Sequence, residues 1–554
     1  MANTPFIISR SWPRFYIGLV GVFALLGLSV LCFITLMQNG LTQTGFASLL
    51  SNSYLHHVLV VTVKQAIFSV GFACLIGVIA AISFNRRARF KGRSILLIIC
   101  FSCMIMPTTV AALSLLKLWG QSGLLVQTPL GYLVPDRPGL WLVVLAHVFF
   151  NAPLVMRVCL TALEAIPQSH MRQAALLHLS PMGYFLTLEW PTLRQVLPSI
   201  AGLVFLLCFT SFSLVLMLGG GPAVTTLEVS IYTALRFDFN LSQAAMLAMV
   251  QLVICASILW FIGKGHTGTA PFQSRSVSHH HRSDRHVWPS RFFDGMVIAV
   301  ILILNILPVL LLVIQSDLIT AHAFLGTDRF ISALYHSLTL AIGSAFLALF
   351  MSLLLALFAY ECQVRNSRFF PQLLEISHSV FLIVPALVMG TALFILLRNV
   401  IDITQDGFWL VLFGNSLLAL PFCYRIVAPA LTREMAQHEN LTLLLHITGV
   451  RRFFMITYPA IQTEIGFALG LSAALSFGDL GIITLFGSQS FETLPYLLFQ
   501  FLNRYGAAEA DILAIFLLLL SACLYLGFVA MGRLLPQLIA YWTNRASSQD
   551  THHA

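Results

Sequence analysis

Few residues in this sequence combine a reactive side chain with the spacing that chemistry at a defined site requires. Cys100 and Cys103 have the spacing of a metal-binding pair, but they lie in an apolar run, where small packing residues are the better interpretation. Four histidines cluster in a polar stretch that offers no carboxylate or cysteine ligands at suitable spacing: His279, His280, His281 and His286. The sequence therefore predicts neither a metal site nor a cofactor.

Motifs for ATP hydrolysis and for an intramembrane enzyme are missing from the sequence. The nearest approach to a phosphate-binding G-x-x-x-x-G-K-[ST] loop is the string Gly263-Lys264-Gly265, which lacks the glycine spacing and a preceding strand. No H-E-x-x-H pair and no paired acidic motif at catalytic spacing occurs either. We therefore expect no catalytic residues, and we expect any ATP-driven step to be carried out by a separate protein.

Asp479 is the most conspicuous ionisable residue inside an apolar run. A carboxylate at membrane depth is costly, which favours a role in a solute pathway. The neighbouring glycines, Gly478 and Gly481, allow close helix approach, which equally favours a packing role with an interhelical hydrogen bond. Both interpretations stay open. Lys64 and Glu375 are better explained as packed or snorkelling side chains.

The composition of the 554 residues places these groups in a membrane protein. Hydrophobic residues make up 58% of the chain and charged residues 9%, against roughly 25% charged in soluble domains. At roughly 20 apolar residues per span, this content covers about a dozen spans and leaves no room for a sizeable soluble domain. The net charge of +9 could suggest a nucleic-acid partner, but no soluble basic face is available to bind one.

Twelve apolar runs reach spanning length, and each is predicted to be a helix because lipid cannot hydrogen-bond an exposed backbone. The first six runs are Phe15–Met37, Val58–Ile82, Ile95–Leu116, Leu140–Leu160, Leu197–Leu218 and Ala244–Ile262. The other six are Met296–Ile314, Ser337–Tyr360, Leu373–Leu397, Phe408–Ile426, Ile465–Phe486 and Ile512–Leu534. The predicted fold is an all-α polytopic membrane protein with twelve transmembrane helices.

The placement of lysine and arginine orients these spans. With a cytoplasmic N-terminus and alternating sides, 23 of the 30 basic residues fall on the cytoplasmic side and six on the opposite side. This bias predicts that both termini are cytoplasmic. Arg157 and Arg425, at the cytoplasmic ends of the fourth and tenth spans, are explained by the same preference.

The two halves of the chain resemble each other at a fixed offset of 268 residues. The matches run from the fourth span to the end of the fifth and include Pro153 with Pro421, His178 with His446, Pro191 with Pro459, and Gly219 with Gly487. Because each repeat contains an even number of helices, the two six-helix repeats are parallel. The predicted organisation is a first half at residues 1–263, a cytoplasmic linker at 264–291 and a second half at 292–554.

The longest cytoplasmic connection within each half follows the fourth span of that half, at Thr161–Pro198 and Ala430–Ile465. Each connection contains a short amphipathic stretch, a break, and an apolar-aromatic stretch that ends at Pro191 or Pro459. One such loop would be explained as an interfacial helix packed against the bundle. A pair at the same place in a repeat is suited instead to docking on a partner with two equivalent sites.

The paired loops resemble the coupling loops of ABC importer permeases. The consensus of that family has Glu-Ala-Ala, a Gly a few residues later, and a Pro at the start of the next span. In the first copy, Ala174, Ala175 and Pro191 fit this pattern. The second copy keeps Pro459 but has the pair Leu441-Thr442 near the Ala-Ala positions.

Two consensus residues are replaced in both copies. The consensus Glu falls at Arg172 and Asn440, and the consensus Gly falls at His178 and His446. The resemblance implies that the residues coupling the permease to its ATPase are Arg172, Gln173, Ala174, Ala175, His178, Ser180, Pro191, Glu439, Asn440, Leu444, His446, Gly449 and Pro459.

Longer strings and the fused twelve-span organisation resemble one subfamily, the thiamine and thiamine pyrophosphate ABC transporter permeases of Gram-negative bacteria. The strings are LAHVFFNAPLVMR (145–157), LEWPTLRQVLP (188–198), LGGGPAVTTLEVSIYTALRFDFNLSQAAMLAMVQ (218–251), LSFGDLGIITLFG (475–487) and FETLPYLLFQ (491–500). The resemblance extends from about Tyr54 onward. It implies the type I ABC importer permease fold and a place in the bacterial inner membrane.

The same resemblance implies the partners of the chain. Two ATP-binding subunits would dock on the cytoplasmic side, one at each loop, and a periplasmic binding protein would deliver the solute. The outer turn from Gly219 to Glu228 is explained either as a tight re-entry turn or, the interpretation we favour, as part of the surface that receives this protein. ATP and the loaded binding protein would then favour one of two states in alternating access.

Two rival functions stay open. Ferric-iron permeases of similar fused build share the general motifs, so the cargo could be iron. Ion-coupled secondary transporters also use two six-helix halves, but they usually carry ionisable groups at membrane depth, and the repeated cytoplasmic loop would be unexplained.

Overall fold

The fold is helical throughout the part of the chain that can be described. The computed structural model describes residues 12–41, 53–88, 90–103, 106–121, 123–134, 139–221, 224–264, 288–316, 324–367, 369–447, 449–488, 491–503 and 507–550. Among these residues, eleven helices are long and apolar enough to span a membrane, or twelve if a bent pair, Phe369–Ile383 and Ala386–Leu397, forms one span. The prediction of an all-α polytopic membrane protein is confirmed.

The helices are numbered in chain order. Those of the first half are α1 Trp12–Leu41, α2 Ser53–Arg86, α3 Arg93–Ser102, α4 Thr108–Trp119, α5 Leu140–Glu164, α6 Gln168–Leu176, α7 Pro181–Tyr184, α8 Trp190–Phe209, α9 Ser213–Leu218, α10 Leu227–Arg236 and α11 Leu241–Lys264. Those of the second half are α12 Trp288–Ile314, α13 Asp328–Val364, α14 Phe369–Ile383, α15 Ala386–Leu397, α16 Ile403–Leu444, α17 Gly449–Arg452, α18 Tyr458–Phe477, α19 Gly481–Phe486, α20 Leu494–Asn503 and α21 Ala507–Asp550.

The sequence repeat reappears in the helix boundaries. Helices α8 and α9 of the first half have the same lengths as α18 and α19 of the second, and their ends lie 268 positions apart. A π-helical turn precedes each of the two long helices, at Phe185–Glu189 and at Phe453–Thr457. From the π-helical turn to the end of α9 and of α19, the two halves therefore fold alike, residue for residue.

Proline breaks the third and ninth predicted spans at matching places. Pro107 and Pro385 are the N-cap residues of α4 and α15, and both have extended backbone conformations. Proline lacks the N–H that a continuous helix requires, and it restricts the residue before it. The axes of α14 and α15 consequently meet at 101°, so the apolar run Leu373–Leu397 is a bent pair and not one straight helix.

The fifth and eleventh spans begin and end earlier than predicted. The structure has spanning helices at Pro181–Phe209 and Gly449–Phe477, where the sequence predicted Leu197–Leu218 and Ile465–Phe486. Hydropathy alone misses the break that follows each helix, because the residues on both sides are apolar. Asp479 therefore lies just beyond the end of α18 and not within a spanning helix.

Two compact units are formed. Unit 1 contains Met1–Gly40, His322–Arg504 and Phe516–Ala554, and unit 2 contains Leu41–Ala321 and Tyr505–Ile515. Each unit thus takes one long helix from the other half of the sequence, α1 in unit 1 and α12 in unit 2. The predicted boundaries at 263 and 292 describe the sequence repeat and stay a prediction for domains. The linker histidines, from His279 to His286, lie outside the described residues.

A specific contact fixes each exchanged helix in its unit. In unit 2, Asp294 near the start of α12 accepts hydrogen bonds from Arg86 and Arg87 at the end of α2, at 3.1 and 2.7 Å. In unit 1, a Cβ on Gly18 of α1 would collide with the Cβ of Phe358, so the two helices touch at a residue without a side chain. Ion pairing thus holds α12 in unit 2, and a close approach of two helix backbones holds α1 in unit 1.

Candidate functional site

The first predicted coupling loop contains a separate amphipathic helix, α6. Met171 and Ala174 are buried on one face of it, whereas Arg172 and Gln173 are exposed on the other. Pro167 is its N-cap residue and ends the preceding helix α5. The sequence prediction of a short amphipathic helix holds for this copy.

The second loop is built differently at the same place. Helix α16 runs without interruption from the membrane into the loop and ends at Leu444. The residue that corresponds to Pro167 is Met435, which allows the helix to continue. The burial pattern is nevertheless kept: Glu439 and Thr442 are buried, and Asn440 is exposed.

Both loop helices end in the same capping motif. In the first copy, the N–H of His178 donates to the carbonyl of Ala175, and the N–H of Leu179 donates to the carbonyl of Ala174. In the second copy, the N–H of Ile447 donates to the carbonyl of Thr442 at 2.9 Å. This is the Schellman arrangement, whose C′ residue adopts a left-handed conformation that glycine favours.

The C′ residue of this motif is histidine in both copies. His178 and His446 have φ angles of 48° and 51°, the left-handed region. These are also the positions of the consensus glycine, so the geometry explains why a glycine is typical there and shows that the chain reaches the same turn without it. The predicted equivalence of these two residues is therefore visible in the backbone, although their role in coupling is untested.

Each loop presents an apolar tip to its surroundings. Leu176 and Leu444, at matching positions, are both 79% exposed, and the leucines that follow them, Leu177 and Leu445, are 72% and 57% exposed. Ala175, the neighbour of Leu176, is half-buried. Exposed leucines clustered at a helix end, outside the spanning helices, are typical of a surface that packs against another protein.

The residues beneath the two tips differ in chemistry. Met171 and Tyr184 of the first loop are 1% and 0% exposed, and they form part of an apolar core. Their counterparts in the second loop are Glu439 and Arg452, which are both 4% exposed and form a hydrogen-bonded ion pair. An internal ion pair in the second loop thus occupies the places of two buried uncharged side chains in the first.

The remaining predicted loop residues shape the turn into the next helix. The Ser180 hydroxyl accepts a hydrogen bond from the Gly183 N–H at 3.1 Å and so caps α7. Gly449 begins α17 with a φ of 62°. Pro191 and Pro459 lie at the second position of α8 and α18, directly after the π-helical turns. A proline there removes one N–H from the helix, and the turn before it is widened.

Asp479 caps a short helix. Its two carboxylate oxygens accept hydrogen bonds from the N–H groups of Gly481 and Ile482, at 3.0 and 3.2 Å, at the start of α19. An acidic side chain at a helix N-terminus is stabilised by the peptide dipoles. The sequence left a pathway role and a packing role open; the observed bonds give this carboxylate a local capping role in unit 1.

Glu228 at the outer turn of unit 2 is buried. It is 1% exposed, and its carboxylate accepts a hydrogen bond from the Gln251 amide at 2.7 Å. Burial raises the pKa of Glu228 to about 8, although the bond from Gln251 opposes this shift. The carboxylate of Glu228 is therefore too buried to contact a docked protein. The prediction of a docking surface now depends on the residues of the turn that precede Glu228.

Other predicted polar positions have plain explanations. Lys64 is exposed, and Glu375 is 67% exposed in α14, as expected for snorkelling side chains. No group of three or more His, Cys, Asp or Glu side chains in the described part of the chain is placed to hold a metal ion.

Sequence reasoning missed several residues that the structure brings forward. Leu176, Leu177 and Leu445 were not singled out, although the Leu-Leu pair repeats at an offset of 268 and was readable as a signal. Arg452 could not be paired with Glu439 without the fold, because 13 residues and a turn separate them. The partner of Asp294 was equally hidden, because Arg86 and Arg87 lie more than 200 positions earlier.

Comparison with known proteins gives consistent matches. Residues 73–265 match the family described as binding-protein-dependent transport system inner membrane component. The chain is 33% identical over 514 residues to a thiamine transport system permease protein of Escherichia coli, covering 92% of this chain and 95% of that protein. It is 36% identical over 484 residues to that of Brucella abortus, covering 86% and 88%. It is 32% identical over 532 residues to that of Haemophilus influenzae, covering 93% and 95%.

Proposed function

This chain belongs to the family of thiamine transport system permeases, and we propose on that premise that it forms the inner-membrane pathway through which thiamine and thiamine pyrophosphate enter the cell. It is a multi-pass membrane protein with a transport role. The observation that carries the proposal is the identity of at least 32% with these permeases, extending over nearly the whole of both chains.

The energy for uptake comes from two separate ATP-binding subunits on the cytoplasmic side. The two loops support this number, because each ends its helix in the same capping turn and presents a leucine that is 79% exposed. The residues from Arg172 to Pro191 and from Glu439 to Pro459 form the two docking sites. Closure of the ATPase dimer moves both loops, and the helices attached to them follow.

The solute arrives from a soluble periplasmic binding protein. The excess of basic residues on one side supports cytoplasmic N- and C-termini, which leaves α10, α20 and the turns before them on the periplasmic side. In unit 2 the N–H of Leu227 at the start of α10 donates to Thr62 at 3.0 Å, and in unit 1 the N–H of Leu494 at the start of α20 donates to Ser337 at 2.8 Å. Matching hydroxyls thus anchor both outer helices to a spanning helix.

The relatives described above are thiamine transport system permeases, so they favour thiamine over ferric iron as the cargo. The test of the cargo is uptake of radiolabelled thiamine by thiamine-requiring cells that lack their own importer and express this chain with its ATPase and binding protein. We expect saturable thiamine uptake and no uptake of ferric iron. Iron uptake without thiamine uptake would overturn the proposal.

A double variant tests the two docking sites, and its amount in the membrane is measured as the control for insertion. Leu176→Asp together with Leu444→Asp changes only exposed side chains, so the chain is expected to reach the membrane at the wild-type level. Thiamine uptake is expected to fall to the background of cells without the permease, because a buried aspartate at each docking site weakens ATPase binding.

A further inference from the structure

A small polar cavity lies in unit 1 where α18 ends and α19 begins. Five polar side chains line it: Ser337, Asn415, Ser476, Asp479 and Thr493. Its free space of about 10 Å³ is sufficient for the centre of one water-sized particle. The cavity is therefore far too small for a two-ring solute such as thiamine, and any occupant must be compact.

The hydrogen bonds around the cavity are incomplete. The Asn415 amide nitrogen donates to Ser476 Oγ at 3.0 Å, and the N–H of Leu494 donates to Ser337 Oγ at 2.8 Å. Asn415 Oδ1 and Thr493 Oγ1 have no hydrogen-bond partner among the described residues, although the two residues are only 4% and 5% exposed. A buried polar atom without a partner costs about 1 to 3 kcal/mol, so two such atoms facing one cavity indicate an occupant.

No described basic side chain compensates the charge at the cavity. Asp479 is partly buried and accepts two backbone N–H bonds, but no described Lys, Arg or His forms an ion pair with it. The buried Asp294 and Asp511 do have basic partners, whereas the buried Glu228 accepts a hydrogen bond from an amide instead. An ionised carboxylate that is withdrawn from water without a counter-charge is unfavourable. A positively charged occupant of the cavity would compensate the charge of Asp479.

We infer that this cavity binds one compact monovalent cation of about the size of Na⁺. The oxygens around it, from a carboxylate, an amide and hydroxyl groups, are the donors that hard cations take. A divalent ion fits poorly, because Ca²⁺ usually takes six to eight oxygens with several carboxylates and Mg²⁺ keeps a shell of water. The residues of the site come from the break between α18 and α19 and from α13 and α16. A cation bound there stabilises the C-terminal end of α18.

The matching place in unit 2 lacks the carboxylate. At an offset of 268, Ser211 corresponds to Asp479, His147 to Asn415, and Cys208 to Ser476. His147 is occupied by a hydrogen bond with Ser69 at 3.0 Å. The cation site is therefore a property of the second half alone, and Ser211 provides a matched control position.

Thermal unfolding of the purified full-length chain tests the inference. The unfolding midpoint is measured in NaCl and in choline chloride at equal ionic strength. We expect Na⁺ to raise the midpoint in a saturable manner, as for any ligand that binds only the folded state. Asp479→Asn keeps a good capping residue at α19 but removes the charge, so it is expected to abolish the Na⁺ effect without unfolding the protein. Ser211→Ala is expected to leave the effect intact.

Direct observation of the ion supports or overturns the inference independently of any variant. In high-resolution crystals of the wild-type protein grown in NaCl, we expect a density peak beside Asp479 whose contacts with oxygen are shorter than those of a hydrogen-bonded water molecule, and no such peak beside Ser211. Equal midpoints in the two salts would overturn the inference. A peak at ordinary hydrogen-bond distances from its oxygen partners would do the same, because it would identify a water molecule only.

Discussion

His178 and His446 stand 268 positions apart and share one left-handed backbone conformation, with φ angles of 48° and 51°. Each is the residue after the end of a loop helix, in a capping turn whose backbone bonds are also matched. Two histidines held in a conformation that disfavours L-residues are difficult to explain by chance. They show that the sequence repeat is a structural repeat at the two loops, down to the backbone of single residues.

The first prediction concerns this turn. Replacing His178 or His446 by glycine is expected to stabilise the protein by about 1 kcal/mol, because the left-handed conformation costs an L-residue roughly that amount and glycine almost nothing. Replacing either by valine is expected to destabilise it. Thermal unfolding in detergent measures both. Destabilisation by glycine at both positions would mean that the histidine side chains hold the turn.

The ion pair in the second loop gives a second prediction. Glu439→Ala leaves Arg452 buried without its partner and is expected to cost about 3 to 5 kcal/mol. The double change Glu439→Met with Arg452→Tyr installs the residues of the first loop and is expected to recover most of this loss. This prediction is tested by comparing the unfolding midpoints of the wild type, the single variant and the double variant. A double variant as unstable as the single one would show that the two loops are not interchangeable.

Asp294 provides a third prediction, on the exchanged helix α12. Asp294 is fully buried, and Asp294→Ala removes the buried carboxylate that Arg86 and Arg87 both bind, so a loss of several kcal/mol in stability is expected. Glu164→Ala is the control: it breaks the Arg93 to Glu164 pair at 2.6 Å, which is partly exposed, and is expected to cost at most about 1 kcal/mol. Equal losses of unfolding free energy for the two variants in a denaturant titration would contradict the conclusion that Asp294 holds α12 in unit 2.

A fourth prediction tests helix packing in unit 1. A Cβ on Gly466 of α18 would lie 2.6 Å from the carbonyl oxygen of Phe528 and 2.9 Å from the Cα of Gly532 in α21. Gly466→Ala is therefore expected to cost about 1 to 3 kcal/mol through overpacking. Gly21→Ala, where nothing lies within 4 Å, is expected to change the unfolding midpoint little. An equally mild effect at Gly466 would mean that the two helices separate easily.

The sequence was sufficient for the helical class of the fold and for the place of the two loops along the chain, but not for the ends of the fifth and eleventh spans. Apolar runs of about 20 residues and the proline matches, such as Pro107 with Pro385, depend on local composition and can be read directly. These features need no knowledge of which helix packs against which.

What could not be predicted depends on contacts between distant residues. The helix break at Asp479 cannot be predicted from hydropathy, because the residues on both sides of the break are apolar. The presence of α1 in unit 1 is equally hidden, because it depends on Gly18 meeting Phe358, 340 positions later. The ending of α5 just before Pro167 could be predicted from the proline, but the continuation of α16 through Met435 required the comparison of two folded copies.

The most direct test of the central claim is thiamine uptake into proteoliposomes that contain this chain, its ATPase and the loaded binding protein. We expect uptake that requires ATP inside the vesicles, is indifferent to imposed proton and sodium gradients, and is abolished by Leu176→Asp with Leu444→Asp. Uptake that follows an ion gradient and continues without ATP would contradict it.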